Sequence, residues 1–202
     1  MFKKYPGLLI HIIPFLLYLI IPFLVKDIFW SYIFKIVLVG CFVVFFWKNY
    51  KIRWKTNYNF PVFTGIVIFV VWVGLEGLYP LLGANTQFIP SNSYEVIAKL
   101  VGMILLAPVI EELFVRNFLY RLLIDQNFEK VKHGTFSWSA FVITSLFFGF
   151  AHSRWLVGLI TGVLLNLVYL RNKSIGSCVV AHYVANLLLA IFVVSTGAWQ
   201  LW

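Results

Sequence analysis

Seven long apolar stretches constrain this chain more than any other feature. They lie at roughly 7–25, 28–47, 60–82, 94–124, 136–152, 155–170 and 175–197. A helix needs about 20 predominantly apolar residues to cross the hydrocarbon core of a bilayer. Lipid offers no partner to backbone polar groups, so spans must be helices or a closed barrel. Barrel strands would alternate with period two over short segments. These runs are long and apolar on all sides, so the expected class is all-α, a polytopic transmembrane helical bundle of about 7–8 helices. The eighth arises if Pro108 splits the fourth stretch into a broken pair. Connections are short and no repeat or linker interrupts the chain, so residues 1–202 are expected to form a single integral membrane domain.

The charges fit that class. The formal net charge is +9, but the basic residues cluster between apolar runs and form no continuous stripe, which argues against nucleic acid as a partner. Lys3 and Lys4 are followed two spans later by Lys48, Lys51, Arg53 and Lys55, then by Arg121, Lys130 and Lys132, then by Arg171 and Lys173. The alternate connections carry Lys26 with Asp27, the uncharged segment 83–93, and Arg154 alone. By the positive-inside rule this pattern predicts a cytoplasmic N-terminus and an external C-terminus. Trp199 and Trp202 are expected at the membrane interface. Lys3 and Lys4 also resemble the opening of a signal peptide, but no small-residue cleavage site follows, so the first run reads as a retained helix. Cys41 and Cys178 lie within apolar runs and read as packing residues.

Polar groups within spans are costly and by default suggest function. "APVIEELFVRNFLYRLLID", residues 107–125, holds Glu111, Glu112 and Arg116. Glu112 and Arg116 are four apart on one helix face, and a structural ion pair explains them as well as catalysis does. Glu111 points about 100° away and is left unexplained. "FFGFAH" places Phe148 four residues before His152, and "VVAHYVANLLLA" places His182 four before Asn186. One histidine on an apolar helix is usually a packing residue. Two histidines, an acid pair and an asparagine in three spans are expected to face the bundle interior and converge around water. His11 reads as interfacial, His133 as solvated and Asn166 as a helix-bridging hydrogen bonder. Glu76 is expected to snorkel outward or hydrogen-bond locally, with a place in the polar cavity as the alternative.

E-E-x-x-x-R at 111–116, F-x-x-x-H at 148–152 and H-x-x-x-N at 182–186 occur in the order and with the internal spacings of the CPBP family. That family comprises the intramembrane CAAX proteases and bacteriocin-processing proteins. The resemblance covers roughly residues 94–197, the expected protease core. "FSWSAFVITSLFFGFAHSRW" and the closing "STGAWQLW" further resemble a bacterial CAAX prenyl protease-related subgroup associated with exosortase/PEP-CTERM sorting.

The resemblance implies an intramembrane endopeptidase with Glu111, Glu112, Arg116, His152, His182 and Asn186 as its catalytic set. The chemistry of the side chains allows this. A carboxylate in an apolar surround can accept and return a proton, so either acid can serve as general base, with Glu111 favoured because Arg116 claims Glu112. His152 would hold the attacking water, and His182 with Asn186 would donate to the oxyanion. The expectation is a reaction without a cofactor. A zinc site on Glu111, His152 and His182 is the rival, and H-E-x-x-H is absent. A Cys178/His182 dyad is disfavoured because apolar burial makes a thiol inert.

The expected partners are the lipid bilayer and a membrane-associated or exported peptide or protein substrate, in a bacterial inner membrane. With seven spans, Glu111, His182 and Asn186 fall near mid-membrane or in the outer half, in a cavity opening outward. A non-catalytic immunity or scaffold protein is the first alternative. A transporter using the polar cluster as an ion relay is the second, though no inverted repeat supports it.

Overall fold

In the computed structural model, residues 7–54, 57–83 and 88–202 are described. Lys3, Lys4 and Lys55, which entered the orientation reading, lie outside them. The described chain is a bundle of seven helices without strands: α1 (Gly7–Leu24), α2 (Ile28–Phe45), α3 (Asn59–Gly74), α4 (93–122), α5 (Trp138–Phe150), α6 (Trp155–Asn172) and α7 (Ile175–Thr196). Four of them, α1, α2, α6 and α7, are long and apolar enough to cross a membrane. Phe23, Leu24, Val44, Phe45 and Phe63 stand exposed on the outside of the bundle, as a lipid-facing surface requires. Cys41 is exposed there too, not packed inside as expected.

No eighth span arises among the described residues, because Pro108 does not break α4. The helix widens instead into π-helical turns at Gly102–Leu106 and Leu113–Leu119. Proline lacks an N–H and its ring collides with the carbonyl four residues back. The wide turn just before Pro108 relieves that collision and frees a carbonyl, Met103 O, which accepts from Asn186 Nδ2 at 2.8 Å.

The N-terminal helices are peripheral and the motif-bearing ones central. Only 22% of the residues in α1 and in α2 are buried, against 44% in α6 and 50% in α7. Glycines let α5 and α6 approach closely: a Cβ on Gly158 would meet Gly149 Cα at 3.1 Å, and one on Gly162 would meet Ser145 Cα at 3.0 Å. Ser174 caps α7, accepting from Ser177 N at 3.2 Å, and its hydroxyl donates to Arg53 O at 2.6 Å.

Two helices are short. α3 has 16 residues and stops at Gly74, not at 82. α5 has 13 residues and rises about 20 Å, less than the roughly 30 Å of a hydrocarbon core. Segment 75–83 folds back over the α5–α6 turn. Leu82 N donates to Ser153 O at 2.8 Å and Trp155 Nε1 to Pro80 O at 3.1 Å. Arg154 clamps the two segments, donating to Glu76 from Nε at 2.6 Å and Nη2 at 2.5 Å, and also to Gln200 O. Glu76 therefore takes the local-bond alternative and lies outside the polar cavity. Non-helical backbone at this depth is tolerated where protein satisfies it.

A second buried network ties α1 to α4. His11, expected at the interface, is instead buried. Its Nδ1 lies 2.7 Å from Gly7 O, and Asn117 Nδ2 donates to its Nε2 at 3.1 Å. Arg121 Nη1 donates to Asn117 Oδ1 at 2.7 Å, so Arg121 is a structural cation as well as a topological one. His133 is half-buried, not freely solvated, with Nδ1 3.2 Å from Tyr169 Oη.

Candidate active site

The wide turn after Glu112 sets the two acids apart. Glu112 is fully buried, and its Oε1 accepts from Arg116 Nη1 at 3.0 Å and lies 3.1 Å from His182 Nδ1. Glu111 is 16% exposed at the side chain and lines a cavity. Arg116, also without exposure, donates from Nε to Asn166 Oδ1 at 3.2 Å and from Nη2 to Gly162 O at 3.1 Å. Its guanidinium lies 4.8 Å from the centre of the Phe148 ring. Asn166 bridges helices as expected: Nδ2 donates to Phe141 O, Thr144 Oγ1 and Ser145 Oγ at 2.9–3.1 Å.

The hydrogen bonds set the histidine tautomers. A carbonyl only accepts, so His152 Nδ1, 2.7 Å from Phe148 O, carries the proton, and Nε2 of the neutral ring is an acceptor. His182 Nδ1 likewise donates to the Glu112 carboxylate, which leaves Nε2 towards Glu111 Oε2 at 4.0 Å. That gap is too long for a hydrogen bond. Phe148 sits between the rings, stacked on His152 at 5.0 Å and edge-on to His182 at 5.7 Å.

All the expected residues except Glu112 and Arg116 therefore meet at one cavity of about 220 Å³, lined by Glu111, His152, His182 and Asn186. Glu112 and Arg116 lie beneath it. A second hollow of about 230 Å³ shares Glu111 and His152 and reaches sideways between Phe15, Tyr18 and Leu19 of α1 and Phe147 of α5. Two passages thus join at Glu111. His182 lies seven residues into α7, about 10 Å along the helix from the end beside the basic loops. The basic residues Lys51, Arg53, Lys130, Lys132 and Lys173 gather round a hollow at that end.

No group of three His, Cys, Asp or Glu side chains among the described residues is arranged to hold a metal ion. Glu111, His152 and His182 are neighbours without forming a ligand set. Cys178 is buried, with Sγ 3.5 Å from Ser174 O, and makes no dyad with His182.

Residues 93–188 match the family described as type II CAAX prenyl endopeptidase, Rce1-like. These residues carry the E-E-x-x-x-R, F-x-x-x-H and H-x-x-x-N motifs whose side chains surround the cavity. The match supports membership of the CPBP family. Together with the long apolar helices, it indicates an integral membrane protein similar to the CAAX-type intramembrane proteases. The match is to the Rce1-like family as a whole and singles out no exosortase-associated subgroup. No curated protein and no solved structure matches the chain.

Other residues line this cavity that the sequence reading did not place there. Trp72 packs edge-on to His152 at 5.8 Å, and its indole Nε1 is buried without a partner. Trp202, expected at the membrane interface, lines the same cavity with a second unpartnered indole N–H. Lys99 lines it as well. Lys99 had a readable signal, a lone cation in an apolar run. The tryptophans had none, since aromatic residues in such runs are ordinary.

Proposed function

We propose that the chain is an intramembrane endopeptidase hydrolysing a peptide bond in a membrane-associated or exported substrate, with water activated by Glu111. One observation carries this reading. Glu112 is committed to Arg116 and His182, whereas Glu111 is the carboxylate that faces the cavity beside two imidazoles. The pair thus divides into a supporting acid and a reactive acid.

Glu111 takes a proton from water as the water oxygen attacks the substrate carbonyl carbon. The acceptor Nε2 of His152 holds the other hydrogen of that water. His182 keeps Nδ1–H on Glu112, which holds the ring with Nε2 turned to the substrate oxygen. Asn186 holds Met103 O with one amide hydrogen and has a second for the same oxygen. As the tetrahedral intermediate collapses, the C–N bond breaks and protonated Glu111 returns its proton to the leaving amine. The sideways hollow between α1 and α5 suits a lipid anchor or hydrophobic segment, with the scissile bond at the junction. A bacterial inner membrane is the proposed location.

The reaction proposed requires no metal. The test uses purified chain in detergent and N-terminally lipidated peptide substrates. Glu111→Gln is expected to reduce turnover by about 10²–10⁴-fold, the range for a lost general base, with an unchanged melting temperature. Chelation is expected to leave turnover intact. Full activity in Glu111→Gln overturns the role of Glu111, and loss on chelation restored by Zn²⁺ overturns the metal-free reaction.

A further inference from the structure

The end of the bundle that carries the basic loops holds a hollow of about 520 Å³, larger than the catalytic cavity and sharing no residue with it. Six cations line it: Lys51 and Arg53 before α3, Arg121 at the end of α4, Lys130 and Lys132 in the α4–α5 loop, and Lys173 after α6. Among the described residues, none of the six forms an ion pair. Glu129 is the one carboxylate in the wall, and its Oε1 occupies the space that a Cβ on Gly7 of α1 would take. Neutral acceptors hold Arg121, whose Nε donates to Val131 O at 3.0 Å and Nη2 to Glu129 O at 3.2 Å. These bonds fasten the α4–α5 loop to α4. The Ser174 hydroxyl fastens Arg53 O to the start of α7 at 2.6 Å, and a Cβ on Gly134 would meet Lys173 Cγ at 2.5 Å. The hollow thus has fixed walls. Two of its lysines stand where glycine is the easier residue: Lys51 and Lys173 end helical turns with left-handed backbone, at φ 52° and 51°. The gathered charge is felt at His133 in the same wall. Burial, then the charges of Arg121 and Arg53, lowers its pKa from 6.5 to about 4.

The positive-inside rule asks for cations in these loops, but not for their convergence on one hollow. Like charges gathered in one wall repel, and an anion among them relieves that repulsion. We infer that the hollow is a binding site for a phosphate-ester anion, supplied by the headgroup of an acidic phospholipid. Its volume falls within the roughly 300–1,000 Å³ of small-molecule sites. A phosphate presents several acceptor oxygens, and the lysines with Arg53 present charged donors from three connections of the bundle. Basic hollows between helices at the cytoplasmic face receive such headgroups. A soluble phosphate ester would meet the same cations. The lipid is favoured by Trp54, next to Arg53, which packs on Gly176 at the start of α7 yet stands exposed, as aromatic residues do at the headgroup level. The site goes beyond the peptidase reading and needs no residue of the catalytic cavity.

The test presents the full chain, purified in detergent, with phosphatidylglycerol, cardiolipin and phosphatidylcholine, and separately with glycerol 3-phosphate as a soluble ester. Native mass spectrometry reads the bound species, and thermal melting reads the stabilisation that a ligand of the folded state confers. The two acidic lipids are expected to be retained over phosphatidylcholine and to raise the melting temperature. Lys130→Gln with Lys132→Gln is expected to weaken that retention about 25-fold, roughly fivefold for each charge removed. Lys130→Arg with Lys132→Arg is expected to keep it. Lys48→Gln with Arg171→Gln removes as many charges from the same end but outside the hollow, and is expected to change nothing. Monodisperse elution confirms the fold of each variant. Equal retention of phosphatidylcholine overturns the site, as does retention of no species. Equal weakening by the two Gln pairs also overturns it, since that marks diffuse attraction to the basic loops. Retention of glycerol 3-phosphate but not of the lipids, lost with Lys130 and Lys132, keeps the phosphate site and overturns the lipid as its source.

Discussion

Arg116 makes the difference between Glu111 and Glu112 intelligible. Its guanidinium is held by Glu112, Asn166 and Gly162, none of which touches water. Removing one partner of a buried pair strands the other charge and is destabilising by about 3–5 kcal/mol. Glu112→Ala is therefore expected to lower the melting temperature sharply in detergent, while Glu111→Gln leaves it unchanged. Equal melting of the two variants would contradict the division of roles. His133 offers a pH test outside the spans. Burial, then the charges of Arg121 and Arg53, lower its pKa from 6.5 to about 4. The unfolded chain thus binds the extra proton first, and stability contributed by neutral His133 is full above about pH 6.5 and is lost as pH falls towards about 4. Thermal melts across that window are expected to fall less steeply for His133→Gln than for the unmutated chain.

Among the elements, the α5–α6 contact is closely built. A Cβ at Gly162 would meet Ser145 Cα and O at 3.0 Å, both backbone atoms that cannot rotate away. Gly162→Ala is expected to push the helices apart, at roughly 1–3 kcal/mol, and to weaken the carbonyl contact that holds Arg116. Melting and turnover should fall together. Element number and order were legible in the sequence, because bilayer thickness sets run length and polar residues avoid lipid. Glu111, His152, His182 and Asn186 were legible for the same reason. The C-terminal end of α3 was not: "LEGLYPLL" is as apolar in a folded-back segment as in a helix, and the Glu76–Arg154 pair that anchors it joins residues distant in sequence. The π-turns of α4 were also hidden, since they answer to Pro108 and to packing rather than to periodicity. Family resemblance and burial cost together located the cavity, but its far end at Lys99 and Trp202 emerged only from the fold.

Across the whole molecule, the short α5 sets access. Its C-terminal turn stops below the level that a full span would reach, and the basic loops gather at the opposite end. In a chain with Cys41 and Cys178 replaced, Ser153→Cys and Lys51→Cys are expected to react with a membrane-impermeant thiol reagent from opposite faces, in right-side-out and inverted vesicles. Reaction of both from one face would overturn the topology.

The foot of the cavity has a consequence for the membrane as an energy store. Water drawn down to Glu111 brings hydronium close to the opposite face of the bilayer, and an open path would drain the proton gradient. Below Glu111 lie Phe148 and the buried Glu112–Arg116 pair, with the guanidinium N–H groups directed at protein acceptors. Closely packed side chains leave no room for the water chain that a proton needs. In the peptidase proposed above, the packed layer that steadies the supporting acid thereby also insulates the membrane against leakage through the water at Glu111.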